Sequence, residues 1–433
     1  MNLSAARRSL SANSLGAHEP SISGVARDPS FISLWDALRS MRVSQATILQ
    51  FVLVSLPLRS AIRAQVPDAP IATGSVRLGI RVDTSAMPRR EIFALWRRYV
   101  ADGPDRFKPS PAWSRTETQR WPLFDLTAPW VYFSAPGYPR PEPTVLSIEP
   151  AEPGRDDVYV IRTLFTTTDS VTHSVLPVAL NRVYAVQEDG RWVLANALPR
   201  LTAGWSRARR GVITFVYPPT HRFDAARAER SAQFVDSLSR VFGVRRPPNI
   251  EFYVLDRPEE LSRILGLDLA LPETNNGRAY PTNNLIFSGL PVYGEWYPHE
   301  LTHLVLWPLV QERRASMTMD EGLAHWLGGS KGKPFSTLMR ELEDDLEARP
   351  DLVLDSLVGP GGRRDSVAYR AAAALLKLAH DRGGIDAVKA VLTPVPTSRG
   401  PNHLLAAEQA LGMTRQHLEA AWRLLVRQTA RDR

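Results

Sequence analysis

A chain of 433 residues is too long for one hydrophobic core of ordinary size, and 44% of its residues are hydrophobic, so two or three globular domains are expected. It contains no cysteine, which excludes disulfides, iron–sulfur clusters and thiolate zinc sites and leaves imidazole and carboxylate as transition-metal ligands. The net charge of +8 comes almost entirely from arginine in short clusters, which indicates a solvated surface and argues against nucleic acid as a partner.

Residues 1–64 contain a pattern typical of a secretory signal peptide. Arg42 supplies a positive charge, residues 46–58 form a short apolar run, and Ala64 is a small residue suited to cleavage. The apolar run is well short of the roughly 20 residues that cross a bilayer as a helix. We therefore expect a secreted or periplasmic protein whose mature chain begins near Gln65, with a buried helix or an uncleaved membrane tether as the alternatives.

The segment before this pattern is a separate problem. Residues 1–40 are rich in Ser, Ala and Arg and show no sustained periodicity. Such a composition is typical of a disordered extension. The second interpretation, which we favour, is that these residues are not translated and that Met41 is the true start.

Residues 72–205 predict a small α+β module. A helix is expected from Arg89 to Val100, followed by a proline-rich stretch and strands with alternating apolar residues. Asp189-Gly190 lies between two such strands and favours a type I′ hairpin turn. A helix followed by a curled antiparallel sheet resembles the cone-shaped fold of nuclear transport factor and ketosteroid isomerase. This resemblance leaves the function of the module open.

Residues 206–433 predict a second unit, in which strands and helices first alternate and helices then continue almost to the end. The expected order is strand 212–217, helix 224–242, strand 250–255, helix 258–265, strand 285–287, and helices 335–347, 366–382, 385–392 and 415–429. The expected fold class is therefore α+β.

The sequence His299-Glu300-Leu301-Thr302-His303 carries the clearest chemical signal. It follows Pro298, which suits the first turn of a helix, and Pro308 is expected to end that helix after about three turns. Residues four apart share a helix face, so both imidazoles can bind one cation. Glu300 lies at the edge of that site, where it can take a proton from water whose pKa zinc lowers to about 7.

A catalytic zinc site needs a third protein ligand and an open position for water. Glu321, in Asp320-Glu321-Gly322-Leu323-Ala324, supplies a carboxylate on a second helix that we expect Thr318 to cap and Gly328-Gly329 to end. The alternative is that Thr318 and Glu321 form a capping box, in which Glu321 would bond the Thr318 amide.

These two motifs resemble the gluzincins, and especially the peptidase MA-like proteins related to aminopeptidase N, over about residues 206–390. In those proteins the second motif reads Asn-Glu-Gly-Phe-Ala, and the spacing to the third ligand is one residue longer than the seventeen residues between His303 and Glu321. The resemblance implies one Zn²⁺ per chain, held by His299, His303 and Glu321, and a gluzincin α+β domain with a mostly helical C-terminal part.

The resemblance also implies a tyrosine that stabilises the oxyanion of the tetrahedral intermediate. Tyr369 occupies a comparable place, although the Lys-Gly that follows the family's tyrosine is missing, and a packing role is the alternative. His325 lies four residues after Glu321 and could orient the ligand, bind product or pack.

The sequence thus predicts a zinc metallopeptidase that acts on a peptide or protein substrate. The alternatives are a non-catalytic zinc-containing binding protein, an aminopeptidase, and a hydrolase of non-peptide amides or esters. The aminopeptidases carry Gly-x-Met-Glu-Asn before the zinc helix, where this chain has Gly277-Arg278-Ala279-Tyr280-Pro281 and no carboxylate. We therefore expect an endopeptidase, with Leu285 to Phe287 as an edge strand for an extended peptide and Glu273 or Glu295 as the residues that could still supply an anion.

Overall fold

The computed structural model describes residues 76–102, 109–131, 141–169, 171–270, 277–290 and 292–431. All of them belong to the unit Pro57–Arg433. The predicted signal peptide lies outside the described residues. So do the alternative start at Met41 and the predicted mature N-terminus near Gln65. Within the described part of the chain, no helix is long and apolar enough to cross a bilayer.

The described residues combine thirteen strands with thirteen α-helices, which agrees with the expected α+β class. The strands are β1 (Arg77–Leu78), β2 (Glu142–Pro150), β3 (Val158–Thr168), β4 (Val175–Glu188), β5 (Arg191–Ala195), β6 (Ser206–Arg210), β7 (Ile213–Tyr217), β8 (Ile250–Val254), β9 (Leu267–Ala270), β10 (Gly277–Tyr280), β11 (Leu285–Ser288), β12 (Val395–Thr397) and β13 (Gly400–Asn402). The helices are α1 (Arg89–Ala101), α2 (Arg115–Arg120), α3 (Ala128–Val131), α4 (Ala197–Leu201), α5 (Ala225–Phe242), α6 (Pro258–Leu265), α7 (Pro298–Arg313), α8 (Met317–Gly328), α9 (Phe335–Ala348), α10 (Leu354–Val358), α11 (Ser366–Leu392), α12 (His403–Leu411) and α13 (Arg415–Arg431).

The first sheet is a mostly antiparallel meander in the order β1-β2-β3-β4-β5, with β9 also paired to β4. The β4–β5 hairpin turns at Asp189 and Gly190, whose φ angles of 51° and 73° are the pair of positive values that a type I′ turn requires. This turn confirms the sequence prediction. Because β9 comes from beyond residue 206, the first sheet is completed by the second part of the chain.

The second sheet is mixed and has the order β10-β11-β8-β7-β6. The three central strands are parallel, while β10 and β6 run antiparallel to their neighbours. The prediction that Leu285 to Phe287 form an edge strand is wrong, because β11 pairs with both β10 and β8. The edge strand next to the His299–His303 motif is β10 instead.

Alternating side chains of the second sheet enter two different cores. Phe252 and Val254 pack with α5, α7 and the C-terminal helices. Tyr253 and Phe287 point to the other face, where they join Trp96 and other residues of the first sheet's core. A strand buried on both faces explains why β8 is apolar at almost every position. The second sheet therefore lies between the N-terminal module and the helices, and the division at residue 206 stays a prediction.

Most predicted helix ends agree with the structure, with exceptions at the end of α7 and at the start of α8. Asp224 caps α5 through its side chain, and Gly243 ends that helix at a φ of 62°. The prediction that Pro308 ends the motif helix is wrong, since α7 continues to Arg313. An internal proline costs about 3 kcal/mol. Burial of Leu309 and Val310, both 3% exposed, offsets that cost.

Helix α8 crosses α11 at very short distance. A Cβ at Gly322 would lie 2.7 Å from the Ala372 Cβ and 3.0 Å from the Ala372 carbonyl carbon. The Ala-rich first half of α11 offers small side chains to this crossing, and residues 371–374 are fully buried. The glycine that follows Glu321 is therefore needed so that α8 can seat against α11.

We predict that Gly322→Ala destabilises the protein by about 1–3 kcal/mol, because the added methyl group overpacks the helix crossing. Gly204→Ala is the matched control, since a Cβ there would meet nothing within 4 Å. Urea unfolding followed by circular dichroism measures both variants. Equal midpoints for the two variants would contradict the close crossing.

Candidate metal centre

The first turns of α7 place two imidazoles beside each other. Pro298 opens the helix, and His299 and His303 follow on one face, one turn apart. Their Nε2 atoms are 3.3 Å apart, and both side chains are largely buried. The chain therefore brings two imidazole nitrogens to one point, as the spacing of the motif predicts.

The third donor comes from α8, which begins two residues earlier than the sequence predicts. Ser316, not Thr318, is the N-cap, and its hydroxyl accepts a hydrogen bond from the Met319 amide. The capping-box alternative is wrong, because the Thr318 hydroxyl donates to the Arg363 carbonyl and Glu321 points to the histidines. One Glu321 oxygen lies 3.5 Å from His299 Nε2 and 3.8 Å from His303 Nε2.

Two hydrogen-bond acceptors orient the imidazoles through their Nδ1 atoms. His299 Nδ1 lies 2.7 Å from the Gly329 carbonyl oxygen, and His303 Nδ1 lies 3.0 Å from a carboxylate oxygen of Asp320. With a proton on each Nδ1, both Nε2 lone pairs point toward Glu321. The two helices can meet so closely because Gly328 has no side chain. A Cβ at this position would be only 2.5 Å from the His299 amide nitrogen.

The donor set fits a tetrahedral zinc ion. Zinc bonds to imidazole nitrogen and carboxylate oxygen are about 2.0–2.2 Å long, so tetrahedral ligand atoms are roughly 3.3–3.6 Å apart. The three donor atoms of His299, His303 and Glu321 are separated by 3.3, 3.5 and 3.8 Å. Among the described residues, these three form a group of potential metal ligands in which each residue offers one ligand atom. All three atoms lie within 4.8 Å of one another. Two nitrogens and one oxygen form a donor set that zinc favours.

The electrostatics of the cluster favour a positive charge at its centre. Burial raises the pKa of Glu321, but its hydrogen bond with His299 and the charges of the two histidines outweigh burial and lower that pKa to about 2. Burial lowers the pKa of His303, but the adjacent Asp320 carboxylate outweighs it and raises that pKa to about 10. Glu321 therefore stays ionised, and the carboxylates around His303 favour its protonated imidazole, whose proton a bound metal ion would replace.

Glu300 lies between α7 and the edge strand β10. One of its carboxylate oxygens accepts a hydrogen bond of 2.6 Å from the Ala279 amide. The strand can approach α7 because Gly277 has no side chain. A Cβ at this position would lie 2.1 Å from the ring of Tyr297. The Glu300 side chain thus lies close enough to the three-residue group for its charge to act on His303.

Tyr369 and His325 meet on the other side of Glu321. Their ring centroids are 5.9 Å apart, and His325 Nδ1 lies 2.8 Å from the Glu321 carbonyl oxygen. Burial, followed by the charge of Glu321, raises the pKa of Tyr369 to about 12, so it is a neutral phenol with a proton to donate. Burial also lowers the pKa of His325 to about 4, so that imidazole is neutral.

Three contributors to the site were not assigned a role from the sequence. Asp320 could have been found, because it is adjacent to a predicted ligand and is a carboxylate that can orient an imidazole. The carbonyl of Gly329 and the amide of Ala279 are backbone groups, so no residue type marks them. Gly328-Gly329 was assigned only as a helix end.

The comparisons with known proteins find only distant likeness, and only to solved structures. No protein-family model matches the chain, and no curated protein matches it. The chain is similar to a crystal structure of a mutant M1 zinc metallopeptidase from Deinococcus radiodurans bound to a Tyr-Ser-Ala substrate. That match is 17% identical, covers 66% of this chain and 64% of the other, and has a TM-score of 0.28. Because likeness at this level does not define a site, the function is inferred from the geometry above.

We predict that Asp320→Asn weakens zinc binding about 10- to 100-fold, because the amide carries no charge to hold the His303 imidazole and strengthen it as a donor. Competition with a chelating zinc indicator measures the affinity. Asp344→Asn, an exposed change on α9, is the control and should leave it unchanged. Equal affinities for both variants would contradict the assigned role of Asp320.

Proposed function

We propose that this protein is a zinc-dependent peptidase in which His299, His303 and Glu321 hold the metal and Glu300 is the general base. The convergence of three partly buried donor atoms at 3.3–3.8 Å, beside the Glu300 carboxylate on α7, carries the proposal. A bound zinc ion would act as a Lewis acid on the scissile carbonyl and on water.

The chain's own residues would then divide the proton transfers and the binding of charge. Glu300 takes a proton from the attacking water and delivers it to the amine that leaves. The Ala279 amide, 2.6 Å from one Glu300 oxygen, keeps the carboxylate aimed at the cleft. Tyr369 is the proposed donor to the oxyanion, since it keeps its proton at neutral pH.

Glu300 also favours a catalytic centre over a structural one. A zinc ion that only stabilises the fold is held by protein ligands at all four positions and needs no base beside it. Here the described residues supply three donors within 4.8 Å, one fewer than a structural tetrahedral site uses. This combination argues against a non-catalytic zinc-containing binding protein.

We further propose that the enzyme cleaves inside peptides. An aminopeptidase needs an anion for the substrate's free amino group, and the described residues 277–284 contain no carboxylate. Glu295 is 1% exposed and is occupied, because its Oε1 binds His221 Nε2 and the Asp224 amide. Glu273 lies outside the described residues. The outer edge of β10 offers backbone groups to an extended chain on either side of the scissile bond.

We predict that Glu300→Gln retains about one zinc per chain but loses peptide hydrolysis at least 100-fold, because the base is removed and the ligands remain. His303→Ala should lose the metal as well. Metal analysis by mass spectrometry and turnover of a peptide library check both variants. Undiminished turnover by Glu300→Gln would contradict the mechanism.

We predict that N-terminal acetylation leaves cleavage of internally quenched peptides within about twofold. In an aminopeptidase, the free α-ammonium group of the substrate forms a charge-assisted hydrogen bond worth about 1.5–3 kcal/mol, which acetylation removes. Mass spectrometry of the products shows where each peptide is cut. Release of single N-terminal residues, abolished by acetylation, would show that the enzyme is an aminopeptidase.

A further inference from the structure

The edge strand β10 carries a cation that has no anionic partner. The guanidinium of Arg278 lies 4.5 Å from the centroid of the Trp130 ring and 5.6 Å from that of Tyr280. Among the described residues, no carboxylate lies within ion-pair distance of it. Its side chain is half-buried, so one side remains open to solvent. Most of the other arginines near the candidate site, such as Arg370, are already paired with acidic residues.

The aromatic platform under this cation is fixed by hydrogen bonds. Trp130 Nε1 donates to the Tyr280 hydroxyl at 2.9 Å, and that hydroxyl donates to the Leu126 carbonyl at 3.2 Å. Nearby, the Asn283 side chain exchanges two hydrogen bonds of 2.9 Å with the backbone of Leu123. An arginine stacked on such a surface loses little conformational freedom when it binds a carboxylate. The N-terminal module thus holds Arg278 in place.

The position of Arg278 on β10 determines what it can touch. Ala279 packs toward α7 and directs its amide away from β11 to Glu300. Arg278 and Tyr280 lie on the opposite face of the strand, since side chains alternate. A peptide paired to the outer edge of β10 would have one residue opposite Arg278, with the two Cβ atoms about 4.5–5.5 Å apart. That residue lies close to the scissile bond, because Ala279 contacts the general base.

We propose that Arg278 is a specificity residue that selects an acidic side chain, Asp or Glu, at one position of the peptide substrate next to the scissile bond. The inference rests on the proposed peptidase function. It goes further, since it names the class of substrate and gives the N-terminal module the task of positioning the cation that recognises it.

The test uses sets of internally quenched peptides. Within a set the peptides differ at one position, which carries Glu, Gln or Lys. The sets together cover the three positions on each side of the cleaved bond. At one position we expect kcat/KM to be about 3- to 10-fold higher for Glu than for Gln, and lower again for Lys. Arg278→Gln should bring the Glu-to-Gln ratio to about one, and Arg278→Lys should keep part of it. Arg209→Gln, at the opposite edge of the sheet, is the control whose ratio stays as in the wild type.

A binding measurement gives a second readout that needs no turnover. Fluorescence anisotropy of the labelled Glu and Gln peptides on Glu300→Gln, with and without Arg278→Gln, should show tighter binding of the Glu peptide that disappears with Arg278 and weakens at high salt. Cleavage without a Glu preference, or a preference that survives Arg278→Gln, overturns the inference and leaves the peptidase function intact. If the zinc-loaded protein cleaves no peptide, the proposed peptidase function fails. In that case the anisotropy measurement decides the inference about Arg278, and equal binding of the Glu and Gln peptides overturns it.

Discussion

The candidate centre depends on how closely the backbones of α7 and α8 approach each other. Gly328 passes so near the start of α7 that even a methyl group would overlap the His299 amide, and Gly322 allows the same helix to seat against α11. This double contact fixes α8 from both sides. The Glu321 side chain is then held within 3.5–3.8 Å of both imidazole nitrogens, although it comes from a different helix. A looser crossing would leave two histidines and a solvated carboxylate.

A second constraint is that the polar groups of the cluster are buried and must be satisfied. Each imidazole uses its Nδ1 on a fixed acceptor, the Gly329 carbonyl or the Asp320 carboxylate, so that Nε2 is left to face the centre. Burying convergent lone pairs and a carboxylate is costly unless a cation lies between them. The carboxylates around His303, Asp320 above all, likewise favour positive charge there and raise the pKa of His303 to about 10 against the effect of burial. The arrangement is therefore suited to a divalent metal ion.

Sequence periodicity was sufficient where local chemistry decides the structure. Capping by Asp224, the Gly243 helix end and the Asp189-Gly190 turn follow from residue types whose backbone preferences are strong. It failed where distant contacts decide. Burial of the last turns of α7 overrides Pro308. Strand order cannot be read from alternation, so the sequence pattern does not distinguish β10 from β11 as the edge strand. The pairing of β9 with β4 is likewise a long-range contact without a local signal.

The central claim is that His299, His303 and Glu321 bind one metal ion at their point of convergence. A crystal structure of the zinc-loaded protein, with an anomalous difference map at the zinc edge, tests it most directly. We predict a single strong peak about 2.0–2.2 Å from both Nε2 atoms and from a Glu321 carboxylate oxygen. A peak at other residues, or fully zinc-loaded protein with no peak at this position, would contradict the account.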